Sequence, residues 1–181
     1  MGKFYVSMSK FLSYMLRHHP EKFNIQLDTH GYADLEKVLK VLNDRYEKRN
    51  ITKETIEEMI KRSNKKRFEV EEQQIRAYYG HSVDKKIEMQ KAENLPNNLY
   101  HGTTPKAYKN IQKSGLRKKN RQYVHLSKNL KTGINVGKRR TDTPVILKIK
   151  VQEAKDEGII FYRSGDIYLA NYIPPKFLER V

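Results

Sequence analysis

Residues 83–97 interrupt the hydrophobic patterning of this chain, and that break does most to limit what it can fold into. The stretch carries Lys85, Lys86, Glu88, Lys91, Glu93, Asn94, Pro96 and Asn97 without a sustained period, so it reads as a linker. With 181 residues in all, the chain suits one large domain or two small ones. The texture differs on the two sides of the break, which favours two: residues 1–90 and residues 98–181.

On the N-terminal side the period is helical. Met8, Phe11, Leu12, Met15 and Leu16 recur at helical spacing, and Pro20 disfavours a helical residue before it. Arg17, His18 and His19 are therefore expected in a helix's last turn. Beyond a turn at Gly31, the run Leu35, Val38, Leu39 and Leu42 predicts a second helix capped by Asp34. A third is predicted from Ile56, Met59 and Ile60, with Thr52 as its cap and Glu54, Glu57 and Glu58 near its positive end. The period then switches to two through Phe68 and Val70, a Glu71-Glu72 turn, and Ile75, Ala77 and Tyr79. Three helices and a hairpin predict a winged helix.

On the C-terminal side short strands dominate. Leu99-Tyr100-His101-Gly102 reads as a strand, Thr104-Pro105 as a helix start and Gly115 as its stop. Residues 123–127, 145–151, 159–162 and 167–169 are further strand candidates. The fold class expected is α+β.

The charge is uneven. Residues 1–96 hold 19 Lys and Arg against 15 Asp and Glu, and residues 97–181 hold 18 against 6, so the net charges are +4 and +12. Nine of those cations, and no acid, lie between Arg117 and Arg140. A one-sign stretch of that length repels itself unless a polyanion relieves it, which points to nucleic acid or a phosphorylated cofactor. A membrane surface would require a basic helix with a strong apolar face, and Gly133 and Gly137 in this stretch argue against one. There are no cysteines, and the six histidines lack ligand spacing, so no metal is expected. No apolar run approaches membrane-spanning length and no signal peptide is evident, so the expectation is a soluble, cytoplasmic protein.

Four places could carry chemistry. Leu16-Arg17-His18-His19-Pro20 sets a guanidinium and an imidazole at a helix end, where ordinary cations satisfying the last carbonyls are the simpler reading. Lys65-Lys66-Arg67-Phe68 leads into the hairpin and is either a basic wing or a solvated loop. Arg76-Ala77-Tyr78-Tyr79-Gly80-His81-Ser82 suits phosphate approach and stacking, or a hairpin end with a buried tyrosine. Tyr100-His101-Gly102-Thr103 and Val124-His125-Leu126-Ser127 both end His-X-(Ser/Thr). The doubling suggests hydrogen-bonding groups paired to hold a ribose and an amide.

Those residues carry a resemblance. Leu12-Ser13 through Leu16-Arg17-His18, Gly31-Tyr32, Arg67-Phe68, Ile75-Arg76-Ala77 with Gly80-His81-Ser82, Leu99 through Thr103, His125-Leu126-Ser127, Val136-Gly137-Lys138-Arg139 and Tyr172-Ile173-Pro174-Pro175 look like the tRNA 2′-phosphotransferase family. The match runs in order from about residue 9 to residue 178.

The resemblance implies a winged-helix RNA-binding lobe over residues 1–90 and an ADP-ribosyltransferase-like NAD-binding lobe over residues 98–181. It implies metal-free removal of an internal 2′-phosphate from tRNA-like RNA, with NAD as co-substrate and RNA-2′-phospho-ADP-ribose as intermediate. The products would be 2′-hydroxyl RNA, ADP-ribose 1″,2″-cyclic phosphate and nicotinamide. By the same resemblance Arg17, His18, Arg67 and Arg139 are catalytic, His101, Gly102, Thr103, His125 and Ser127 line the NAD pocket, and Arg76, Gly80, His81 and Ser82 lie near the substrate phosphates. Where other ADP-ribosyltransferases carry a glutamate near the acceptor, Ile167 is expected, and an added carboxylate there would repel a phosphate.

The chain departs from the pattern at Tyr79, where the family usually has Gln, and at Arg140-Thr141, where His-Gly is common, which leaves Arg140 a rival to Arg139. Gly165-Asp166-Ile167-Tyr168 replaces the usual Asn-Gly-Val-Trp. A monomer is expected. Two rival readings are an ADP-ribosyltransferase acting on phosphorylated nucleic-acid ends, which would stop after the first step, and a non-catalytic nucleic-acid-binding module.

Overall fold

A computed structural model of the protein describes residues 2–181. The chain divides into two compact units, the first ending at Glu88 and the second beginning at Met89.

In the first unit α1 (Lys3–Arg17) stops where Pro20 requires, and Pro20 begins a short 3-10 turn to Phe23. Its buried stripe, Met8, Leu12, Met15 and Leu16, packs with Leu35, Val38 and Leu42 of α2 (Leu35–Arg45) and Ile56 and Met59 of α3 (Lys53–Lys61). Burying each such side chain stabilises the fold by roughly 1.5–3 kcal/mol before chain entropy is counted. Asp34 caps α2 as expected, its carboxylate accepting from Lys37 N at 2.9 Å. The hairpin is β2 (Phe68–Glu71) and β3 (Gln74–Ala77), and a third strand, β1 (Tyr32–Asp34), pairs with β3 on the side away from β2. Three residues running directly into α2 leave no alternation from which β1 could be read.

The second unit joins two three-stranded antiparallel sheets. One has the order β11-β7-β4, from Leu178–Arg180, Val145–Lys150 and Asn98–Thr103. The other has the order β6-β9-β8, from Val124–Leu126, Ile167–Ala170 and Phe161–Ser164. Leu99, Leu147 and Ile149 of the first share a core with Val124, Leu126, Phe161 and Ala170 of the second. The sheets are stitched where β4 passes β6, by Tyr100 N to Ser127 O at 2.9 Å and Ser127 N to Tyr100 O at 2.7 Å. Helix α4 (Pro105–Ser114) starts at Thr104 and stops at Gly115, and β5 (Leu116–Arg117) pairs with β10 (Tyr172–Ile173). The architecture is a mixture of helices and small antiparallel sheets.

Two expectations need correcting. The stretch 83–97 is not a free linker: Ile87 is fully buried, and Ala92 N to Phe161 O (2.9 Å) and Arg163 N to Gln90 O (3.0 Å) fasten residues 90–92 along β8. Val151, expected at a strand's end, instead opens α6 (Val151–Asp156), and the basic run contains α5 (Leu130–Gly137).

Helix α5 includes Gly133 and Gly137, each about 1 kcal/mol worse than alanine in a helix. Packing explains them. A Cβ on Gly102 of β4 would stand 2.2 Å from Gly133 O, and one on Gly137 would meet Pro144 at 2.5 Å. The helix lies this close to the strand only because Gly102 has no side chain. Gly102→Ala should therefore destabilise the protein by about 2–3 kcal/mol in chemical denaturation, the cost of overpacking, and an unchanged midpoint would contradict this packing.

Candidate active site

In the first unit the end of α1 is clasped by the segment after β3. Ser82 N donates to Arg17 O (2.9 Å), taking one of the carbonyls a helix end leaves unpaired. Its hydroxyl lies 2.8 Å from His18 Nδ1. The Arg67 carbonyl accepts from Arg17 Nη2 (3.3 Å) and from Tyr78 N (2.9 Å), while Arg67 Nη1 donates to Ser63 Oγ (2.9 Å). Arg17 Cζ sits 5.0 Å from the Tyr79 ring centroid and 5.6 Å from that of Phe68. Gly80 has φ +95°, and a Cβ there would come within 3.4 Å of Arg17 Nη1. Arg17, His18, Arg67, Gly80 and Ser82 thus form one constellation. Among the described residues Arg67 has no carboxylate within ion-pair distance.

Arg76 and His81 sit differently. Arg76 pairs with Glu69, its Nε 2.7 Å from Oε2, and stacks on Tyr32 at 4.4 Å. Glu69 also accepts from Tyr78 (2.8 Å) and Tyr32 (3.0 Å). Burial raises the Glu69 pKa, yet those hydrogen bonds and the Arg76 charge hold it below the usual carboxylate range. His81 is 2% exposed and packs over Gly31, where a Cβ would lie 3.3 Å from its Nε2. Burial, with the charges of Arg17, His18 and Arg76 adding, brings its pKa down to about 4.

In the second unit His101 Nδ1 lies 3.0 Å from His125 O. A carbonyl only accepts, so Nδ1 carries the proton. Burial, with Lys119 adding, lowers the His101 pKa against the pull of that hydrogen bond, so the ring is neutral at pH 7 and Nε2 keeps its lone pair. Thr103 ends the same strand, Gly102 lies under α5, and Ser127 sits at the bridge to β4. Arg121 Nη1 lies 3.1 Å from His125 Nδ1; a guanidinium only donates, so the His125 proton is on Nε2, and that nitrogen is buried. Arg139 and Arg140 are exposed in the turn that closes α5, their amides bonded to Val136 O and Gly137 O.

Sequence reasoning missed Ser63, Glu69, Lys119 and Arg121 as partners of these groups. Glu69 could have been found by asking what a half-buried arginine on a strand faces, since residues directly across a hairpin share one face.

Comparison with known proteins decides the family. Residues 3–170 match the family model described as RNA 2′-phosphotransferase, Tpt1 / KptA family. The chain belongs to the RNA 2′-phosphotransferase family. It is 42% identical to a probable RNA 2′-phosphotransferase of Bacillus thuringiensis, over 97% of this chain and 95% of that protein. It is 39% identical to one of Acetivibrio thermocellus, over 97% and 96%. Against probable RNA 2′-phosphotransferase 2 of Archaeoglobus fulgidus the identity is 38%, over 95% and 78%.

The family's description implies an RNA substrate. Among the described residues no cluster of three or more His, Asp or Glu is arranged to hold a metal, and no helix is long and apolar enough to cross a membrane.

His81 yields a pH dependence. Its folded pKa lies below the unfolded value near 6.5, so its contribution to stability is complete above about pH 6.5 and is lost as pH falls towards 4, up to about 3 kcal/mol. Denaturant melts between these pH values should show that slope, and His81→Leu should flatten it; an equal slope in both proteins would contradict the buried neutral ring.

Proposed function

We propose that this chain removes an internal RNA 2′-phosphate with NAD as co-substrate, through RNA-2′-phospho-ADP-ribose, to give 2′-hydroxyl RNA, ADP-ribose 1″,2″-cyclic phosphate and nicotinamide. The observation that carries the reading is the joining of Arg17 and Arg67 at one main-chain carbonyl beside His18 and Ser82. The Arg17 guanidinium at the Arg67 carbonyl, and the Arg67 guanidinium with no carboxylate within ion-pair distance among the described residues, offer two forks that a phosphomonoester dianion can use.

The first unit's three helices with a hairpin support a winged-helix assignment, and the small paired sheets of the second support an ADP-ribosyltransferase-like one. A cytoplasmic role on tRNA-like splice products is the setting this reading implies.

The donor set of the second unit fits NAD. His101 presents Nε2 as acceptor, and Thr103 and Ser127 supply hydroxyls, which together suit ribose hydroxyls and a carboxamide, while Gly102, between His101 and Thr103, lets α5 support the strand. When bound, NAD supplies a ribose carbon made electrophilic by its cationic nicotinamide leaving group.

The residues' tasks follow from charge. Arg17 and Arg67 grip the phosphoryl oxygens and aim one of them at that carbon; the substrate is already anionic, so positioning suffices and no strong base is required. The phosphate oxygen forms the new bond as the bond to nicotinamide breaks. In the second step the ribose 2″-hydroxyl attacks phosphorus and the RNA 2′-oxygen leaves, so one proton passes from the first oxygen to the second. His18, bonded to Ser82, is the group for that proton, and Arg139 stabilises the charge on the phosphoryl oxygens.

Incubation with a 2′-phosphorylated oligoribonucleotide in chelator tests the reading: the phosphate is lost with NAD and retained without it. Activity that is abolished by EDTA, or undiminished without NAD, contradicts it.

Arg17→Lys and Arg67→Lys should each slow turnover by roughly ten- to a hundredfold, since charged hydrogen bonds are worth about 1.5–3 kcal/mol and a point charge does not replace a fork. Near-wild-type rates would exclude bidentate binding. Arg139→Ala should release nicotinamide while RNA-phospho-ADP-ribose accumulates, whereas Arg140→Ala should be mild. The opposite pattern would move the role to Arg140.

A further inference from the structure

The outer face of α1 carries a feature that the candidate site does not use. Beside its buried stripe the helix presents Phe4, Phe11 and Tyr14, and the first unit brings Phe23 and Tyr46 to them. The rings make a continuous file: Phe4–Tyr46 at 5.5 Å, Tyr46–Phe11 at 6.4 Å, Phe11–Phe23 at 5.3 Å and Phe23–Tyr14 at 6.1 Å. It continues through His19, 4.7 Å from Tyr14, and ends 6.5 Å further on at His18. The file therefore runs the length of α1 and stops at the imidazole of the phosphate constellation.

Cations cover it. Arg49 stands 4.2 Å over Phe4, Arg45 4.3 Å over Phe11, and Lys22 5.6 Å over Tyr14, whose hydroxyl it also bonds at 3.0 Å. Among the described residues none of the three has a carboxylate within ion-pair distance. Helix α1 itself contains Lys3, Lys10 and Arg17 and no acid. An outer layer of core would account for the rings, which are mostly half-buried, but not for cations without carboxylates over them.

We propose that this face is a docking track for the single-stranded RNA flanking the 2′-phosphate. The cations meet backbone phosphates, and the ring surface left exposed beside them, that of Tyr14 above all, is offered to bases, a sequence-tolerant combination. At 1.5 Å per residue α1 spans about 22 Å, room for several nucleotides. The placement of the phosphate at His18 rests on the function proposed above, and the test separates the two.

The variant Lys22→Gln/Arg45→Gln/Arg49→Gln removes charge while leaving stems to lie on the rings. Fluorescence anisotropy with an unphosphorylated single strand of about ten nucleotides reads the track independently of activity. The expected result is a Kd raised about tenfold or more, with a salt slope shallower by about 0.7 for each backbone phosphate that the variant no longer neutralises. Tyr14→Leu should weaken binding several-fold at unchanged slope. Turnover of a 2′-phosphorylated dinucleotide, too short for the track, should stay within about twofold of wild type in both variants, and its conversion by the wild type reports the proposed function separately. An unchanged Kd for the single strand overturns the track, as does an equal loss for a fully paired duplex, which cannot offer its bases to the rings.

Discussion

The hydrogen bond from Ser82 N to Arg17 O is the contact on which the first unit's chemistry depends. A helix that ends before a proline leaves its last carbonyls to be satisfied from elsewhere, and here the partner comes from the far side of the β2–β3 hairpin. The same turn brings the Ser82 hydroxyl to His18, and its glycine at φ +95° lets the backbone pass the Arg17 guanidinium. The Arg67 carbonyl completes the clasp from the strand leading into the hairpin. Helix end, strand entry and turn thus fix one another, and among the described residues Arg67 is held without a carboxylate that would compete for an anion.

The second unit solves a different problem, which is to bring a helix and a second sheet against one strand. Gly102 admits α5 onto one face of β4, and the bridge at Ser127 with the His101–His125 bond ties the next sheet alongside. His101 is neutral because desolvation lowers its pKa, and a carbonyl fixes its proton on Nδ1. The ring therefore serves as an acceptor rather than a cation. Lys119 and Arg121, in the basic run, stand against these histidines and draw part of that run's charge into the site.

Much of this was legible in the sequence where the signal is local. The stop of α1, the Asp34 cap, the hairpin and the Thr104-Pro105 helix start follow from residues within a turn of the feature they specify. The strands β1, β10 and β11 were not, because two or three residues hold no period and pairing is decided by distant partners. Helix α5 was hidden by the glycines that its packing requires. At the site the residue types were readable, but their roles were not equally so: Arg17 reaches the Arg67 main chain, whereas Arg76 is committed to Glu69, a pairing visible only once the hairpin register is known.

The fate of the phosphorus atom tests the account most directly. Phosphorus-31 NMR of a 2′-phosphorylated oligoribonucleotide incubated with the protein and NAD should show the monoester signal replaced by that of a five-membered cyclic phosphodiester on ADP-ribose, in step with nicotinamide release. Appearance of inorganic phosphate instead would mean hydrolysis, and would contradict a site built to position one anion for transfer rather than to activate water.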